Sequence, residues 1–203
     1  RGLGDVYKRQ TLHYIMLVNL LLLISFSNTP YWYNKDIHNL GNTGILGNIH
    51  AACTPFVTRF IDYKAYSGRD VRKEIYDTLK GDVLDMCCGT GFSTKPGNVG
   101  IDTSLEMLRF TKIFNPGSNY LYGNAENYGK DKEFDTVSCM FSFHEMPTEA
   151  HEKILKNCIR VAKKEIVIVD ISTDYKPSKA MLTGEPYITC LLYTSDAADE
   201  RNS

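Results

Sequence analysis

The chain has 203 residues, 43% of them hydrophobic and 23% charged, which suits one globular domain with a sizeable core and excludes an intrinsically disordered polymer. Its formal net charge of −1 offers no overall attraction for nucleic acid or an anionic membrane, although a local basic patch stays compatible with it. The six cysteines, Cys53, Cys87, Cys88, Cys139, Cys158 and Cys190, contain no C-x-x-C pair and mostly fall in apolar runs. They read as reduced core thiols rather than a zinc site or a disulfide framework.

Residues 1–10 lack an initiating Met and residues 191–203 break abruptly from what precedes them. Both ends resemble translated adapter sequence and are set aside from the fold, which leaves a domain over residues 31–190 and a natural protein expected to continue beyond it. Residues 11–30 form an apolar N-terminal segment. Its run at 12–26 is shorter than the ~20 residues of a bilayer span, so no membrane span is expected in the mature domain. If Met16 is the start, residues 17–24 make the apolar part of a targeting signal; otherwise the segment is a helix packed on the domain. The compartment stays open between cytoplasm and organelle.

Residues 30–33 set three aromatics beside a proline, and glycines at 41, 44 and 47 punctuate the stretch that follows. This pattern predicts an ordered loop or lid over a pocket rather than a helix, with Tyr33, His38 or His50 facing a substrate or simply packing. Thr54-Pro55 then supplies a helix start, with Phe56, Val57, Phe60 and Ile61 on one face. A second helix over 70–79 carries Val71, Ile75 and Leu79, with Gly81 behind it as a stop. Both helices are expected to pack on a sheet.

The apolar run at 83–88 reads as a strand of a parallel sheet covered on both faces. Gly89 and Gly91 allow a sharp turn close to a ligand, and Asp102, at the tip of a second strand, is placed to accept from a ribose diol. A dinucleotide fingerprint needs a third glycine and an acid about 20 residues further on. Here the third-glycine position is Thr94, and Asp102 arrives too early for a full helix, leaving about one turn at 92–96. The site therefore suits a nucleoside without a pyrophosphate.

Thr103-Ser104-Leu105-Glu106 has the capping-box pattern and predicts a helix through Phe114. Residues 120–122 make a third strand, closed by Gly123-Asn124-Ala125-Glu126, and residues 134–141 a fourth. Met146-Pro147-Thr148 opens a helix with Ile154, Leu155, Cys158, Ile159 and Ala162 as its apolar stripe, and residues 165–171 are a β-branched fifth strand. The alternation predicts an α/β fold: a Rossmann-like, doubly wound, mostly parallel sheet with helices on both faces, ending before its last strands.

The paired Cys87-Cys88 before Gly-Thr-Gly, the Asp102-Thr103-Ser104-x-Glu106-Met107-Leu108 run, the Gly-Asn-Ala-Glu turn and Phe143-His144-Glu145-Met146 together resemble class I S-adenosylmethionine-dependent methyltransferases. The resemblance runs from about residue 31 to 188 and is most specific between 83 and 170. It implies S-adenosyl-L-methionine as cofactor, with Cys87, Gly89 and Gly91 along its methionyl end and Asp85 orienting that loop or the ammonium group. Asp102, with Thr103 beside it, would accept from both ribose hydroxyls. Met107 would neighbour the adenine or fill core, and Asn124 stands, with Ala125 and Glu126, where the family often has an aspartate. Phe141 would pack on the cofactor or the pocket wall, and His144, with Glu145 beside it, is the candidate base.

Methyl transfer needs alignment, desolvation and sometimes a base, so no metal is expected. The Asn/Asp-Pro-Pro-Tyr/Phe motif of many nucleic-acid amino-methylating enzymes is missing after strand four, which leaves a small molecule or a protein as methyl acceptor. The shortened first helix departs from the family and keeps a second reading open, a non-catalytic Rossmann-type nucleoside-binding or scaffold protein. A dinucleotide oxidoreductase is a more distant third.

Overall fold

Five short runs rich in branched and aromatic side chains form the strands: β1 (Val83–Met86), β2 (Val99–Asp102), β3 (Asn119–Tyr122), β4 (Phe134–Met140) and β5 (Ala162–Val169). The computed structural model describes residues 29–172 and 174–192, so the expectations placed on 1–28 and 193–203 lie outside the described residues. All strand pairs are parallel, in the order β3-β2-β1-β4-β5. The chain winds outward from β1 through β2 to β3, then crosses to the other side of β1 for β4. An open Rossmann-like sheet results, and its order reverses between β1 and β4, where such sheets form their ligand crevice.

The helices among the described residues are α1 (Gly44–Tyr66), α2 (Val71–Thr78), α3 (Leu105–Phe114), α4 (Thr148–Val161) and α5 (Lys179–Gly184). Because side chains alternate along a strand, Leu84 and Met86 join Ile101, Val137 and Cys139 in one core cluster with Ile154, Cys158 and Val161 of α4. Val83 belongs to a second cluster with Leu79 and Met140, closed by Ile75 and Tyr76 of α2. At roughly 1.5–3 kcal/mol per large apolar side chain fully buried, the α4 cluster is the larger source of stability.

Several local expectations are corrected. Residues 44–54 are helical, so the glycine-punctuated stretch ends in α1 instead of continuing as a loop. A Cβ on Gly47 would lie 2.6 Å from the Asn42 carbonyl carbon, so that glycine marks a close backbone approach against a helix. Pro55 lies inside α1 and removes only the bond its missing N–H would give to Ala51, and the helix runs through it. Phe56 and Phe60 are 78% and 62% exposed, so the predicted apolar face of this helix does not pack on the sheet; α1 rests against α3.

Ser104, one residue later than the capping-box reading places it, caps α3 by accepting from the Met107 N–H at 3.1 Å. Glu106 instead accepts from the Gly44 N–H at 2.8 Å and ties the start of α1 to α3. Turns alone link β1 to β2, so the short helix predicted at 92–96 does not form. In the stripe of α4, Leu155 and Ile159 are exposed and Ala162 already begins β5.

The two ends of that stripe should behave differently. Ile154→Ala is expected to cost about 2–5 kcal/mol in urea unfolding, while Ile159→Ala, 61% exposed, should stay within about 0.5 kcal/mol.

Candidate active site

The tips of the central strands shape the crevice. Cys87 after β1 and Phe141 after β4 both take left-handed backbone, at φ 60° and 57°. Each tip bends away from its strand at the point where the sheet order reverses. A cavity of about 600 Å³ opens there, lined by Cys87, Gly89, Thr90, Asp102, Thr103, Met107, Asn124, Ala125, Phe141 and His144 among others.

The turn after β1 is held from beneath. Asp85, 1% exposed, accepts hydrogen bonds from the hydroxyls of Ser93 (2.8 Å), Thr94 (2.7 Å) and Ser138 (3.3 Å). Burial lifts its carboxyl to about 6, against the opposing pull of those three hydroxyls. The Asn115 amide donates to the Thr90 carbonyl at 2.9 Å. A Cβ on Gly91, whose φ is +88°, would lie 2.6 Å from the Tyr120 hydroxyl.

Asp102 reaches the wall from the tip of β2. One carboxylate oxygen accepts from the Gly89 N–H and the other from the Ser104 N–H, each at 2.8 Å. Burial raises this carboxyl too, to about 6, against those backbone donors. Each oxygen keeps a further lone pair for a ligand hydroxyl.

Beyond β4, the 3-10 turn Phe143–Glu145 carries His144 and Glu145. His144 Nδ1 lies 2.6 Å from Asp170 Oδ1, and Asp170 Oδ2 accepts from the Phe143 N–H at 2.7 Å. A carboxylate can only accept, so Nδ1 carries the hydrogen and Nε2 is left as the basic nitrogen. Burial pulls His144 down, but the hydrogen bond to Asp170 and the charges of Glu145, Asp170 and Glu185 outweigh it and hold the imidazole above its ordinary range.

The segment at 30–42 closes the cavity. His38 places Nε2 2.9 Å from Glu145 Oε1, and its Nδ1 contacts Glu185 Oε1. Burial opposes protonation of His38, but the two carboxylates lift it to about 10. Burial likewise pushes Glu145 up, and His38, followed by His144 and His50, brings it down to about 2. His50 packs edge-on against His38 and is lowered, first by burial and then by the charge of His38.

Residues 83–165 match the family model described as a methyltransferase domain. That stretch is similar to a methyltransferase domain. Among solved structures, a Pyrococcus horikoshii protein is 27% identical, over 51% of this chain and 56% of that one, with a TM-score of 0.42. A Thermotoga maritima SAM-dependent methyltransferase, described as a possible histamine N-methyltransferase, is 22% identical over 59% of each chain, with a TM-score of 0.46. Phosphoethanolamine N-methyltransferase 1 of Haemonchus contortus, solved with phosphoethanolamine and S-adenosylhomocysteine, is 17% identical over 56% of this chain and 28% of that one, with a TM-score of 0.45. The chain thus spans 59% or less of the length of each of these proteins. No curated protein matches it.

Most residues singled out from the sequence come together on the cavity wall: Cys87, Gly89, Asp102, Thr103, Met107, Asn124, Ala125, Phe141 and His144. Asp85 and Gly91 lie behind it, one holding the turn and the other making room for Tyr120. Glu126 also stands back, with Lys153 Nζ 3.4 Å away and the Tyr31 hydroxyl bonded to it. The Asn124 side-chain oxygen Oδ1 accepts from the Glu126 N–H at 2.8 Å, so one of its lone pairs is already used. His38 and His50 line the cavity, whereas Tyr33 points away and is 42% exposed.

Arg72, Glu185 and the supporting Asp170 escape the sequence reading, which includes Trp32 only as one of the three aromatics at 31–33. Only Asp170 carries a signal, as an acid just past the end of a strand. Among the described residues, no group of three or more His, Cys, Asp or Glu side chains is arranged to hold a metal ion. Among them also, no helix is long and apolar enough to cross a membrane.

Asp85 offers a test of this arrangement. Its folded value of about 6 exceeds the ordinary 3.8, so its protonation favours the fold below 3.8 and that contribution is lost as pH rises to about 6. The unfolding free energy of the wild type relative to Asp85→Asn, from urea titrations, should therefore fall between pH 4 and pH 6, by about 3 kcal/mol in total, and level off above. A pH-independent difference would show an unshifted carboxyl.

Proposed function

We propose that this chain is an S-adenosylmethionine-dependent methyltransferase acting on a small-molecule or protein acceptor. The observation that carries the reading is Asp102, fixed at the tip of β2 by the Gly89 and Ser104 N–H groups beside a glycine turn, with lone pairs left toward the cavity. That is the chemistry of a ribose-diol acceptor. Met107, 6% exposed, and Ala125, 4% exposed, add an apolar wall for a base, and Gly89 and Thr90 lie where the amino-acid end would run. These residues fit the cofactor, which when bound supplies a methyl group already activated on a sulfonium.

The chain's own part is then to orient, to exclude water and to take a proton. His144 Nε2 is the atom for the last task, since Asp170 holds the tautomer. Phe141 forms part of the cavity wall, with the Arg72 guanidinium 4.3 Å from its ring centre.

Calorimetry with S-adenosylhomocysteine should give micromolar-range binding that Asp102→Ala abolishes; unchanged binding in the mutant sinks the assignment. With an acceptor in hand, the rate should rise with pH as His144 loses its proton, through a midpoint above that of an ordinary histidine. Asp170→Asn should move that midpoint down, and His144→Ala should slow transfer by about 10²–10⁴-fold with S-adenosylhomocysteine affinity unchanged.

A further inference from the structure

The part of the cavity wall around Glu185 and Trp32 holds polar atoms left without a partner among the described residues. Glu185, just past α5, is 6% exposed and lines the cavity. One of its carboxylate oxygens meets His38 Nδ1, while the other, Oε2, is buried with no hydrogen-bond partner. The indole N–H of Trp32, also on the wall, is likewise buried and unpartnered. Leaving a buried acceptor unmet is costly, the more so for a charged one, so Glu185 Oε2 favours a ligand that donates to it, while Trp32 contributes its ring.

The charges give that ligand a sign. Asp102, Glu145 and Glu185 stand on the wall, and Asp170 lies directly behind His144. Facing them are His38, His50, His144 and Arg72. Arg72 is paired with Asp62 at 3.4 Å, and His50 directs Nδ1 to the Gly41 carbonyl at 3.1 Å. His38 is shared between two carboxylates, so even with its proton that trio carries one net negative charge. The rings of Tyr31 and Trp32 complete the surround, and aromatic faces attract cations further.

We infer that this part of the cavity binds a small organic ammonium, with Glu185 Oε2 accepting from its N–H and the Tyr31 and Trp32 rings against its hydrocarbon. The assignment deepens the methyltransferase reading and rests on it for naming the ligand as the methyl acceptor, whose nitrogen gives one proton to His144 Nε2 and takes the methyl group with the lone pair so freed. A carboxylate or phosphate ligand is disfavoured by the same charges.

Isothermal titration of the full chain, with and without saturating S-adenosylhomocysteine, should compare 2-phenylethylammonium, 2-phenylethanol and phenylacetate. The ammonium is expected to bind at least tenfold more tightly than the alcohol, with phenylacetate weakest. Glu185→Gln should abolish the preference while S-adenosylhomocysteine still binds. If that variant does not fold, the wild-type ranking and a weakened ammonium affinity in Trp32→Phe, with the preference retained, carry the test. Equal affinities for ammonium and alcohol, no ammonium binding, or a preference for phenylacetate overturns the inference. Failure of S-adenosylhomocysteine to bind the wild type overturns the cofactor reading instead, and the titrations without it still decide the ammonium site.

Discussion

The fold turns on a buried carboxylate. A crossover between parallel strands ordinarily covers the sheet with a helix, but between β1 and β2 the chain has room only for turns. What takes the helix's place is Asp85, around which Ser93, Thr94 and Ser138 converge with their hydroxyls. The cluster ties the turn to β1 and β4 at once, and so fixes where Gly89 and Thr90 present their backbone to the cavity. Hydrogen bonds thus do at this place what apolar packing does under α4.

From that anchored turn the rest of the site follows outward. Gly89 reaches Asp102, and Asp102 reaches Ser104, whose hydroxyl caps α3 and also donates to the Asn42 carbonyl. The Asn42 backbone in turn crosses α1 at Gly47, and Glu106 of α3 receives the first N–H of α1. One continuous run of polar contacts therefore links the floor of the crevice to the segment that closes it. On the opposite side, Asp170 performs the equivalent task for the turn after β4, holding both its backbone and the His144 ring.

What could be read from sequence was local. The run at 83–91 announces a strand and a turn because apolar, acidic and glycine positions follow within nine residues, and the early Asp102 already excludes a full helix between them. The alternation of strands and helices then predicts a parallel sheet, whereas the order of its strands is seen only in the structure. Propensity misled at α1: glycines at 44 and 47 and a proline at 55 have loop propensities, yet Gly47 lies inside the helix and makes room for the Asn42 backbone where the chain enters it. The exposed Phe56 and Phe60 show that helical periodicity finds a face without saying what covers it. His38, Glu145 and Glu185 stayed dispersed for the same reason, since three ordinary polar residues from three distant stretches carry no shared spacing.

That dispersal has a consequence for how the cavity is made. The closing segment and the α5 region meet along a seam where the Asn34 amide donates to the Tyr187 hydroxyl, 153 positions away, and His38 bridges to Glu185. Contacts of such long sequence separation carry the loop-closure entropy of nearly the whole domain, so they form after the sheet and its helices rather than with them. On the ribosome the sheet can assemble strand by strand, but this wall waits until the last described residues have emerged. The seam is also a boundary along which the molecule can open at less than its global unfolding free energy, baring one end of the cavity while the parallel sheet stays whole.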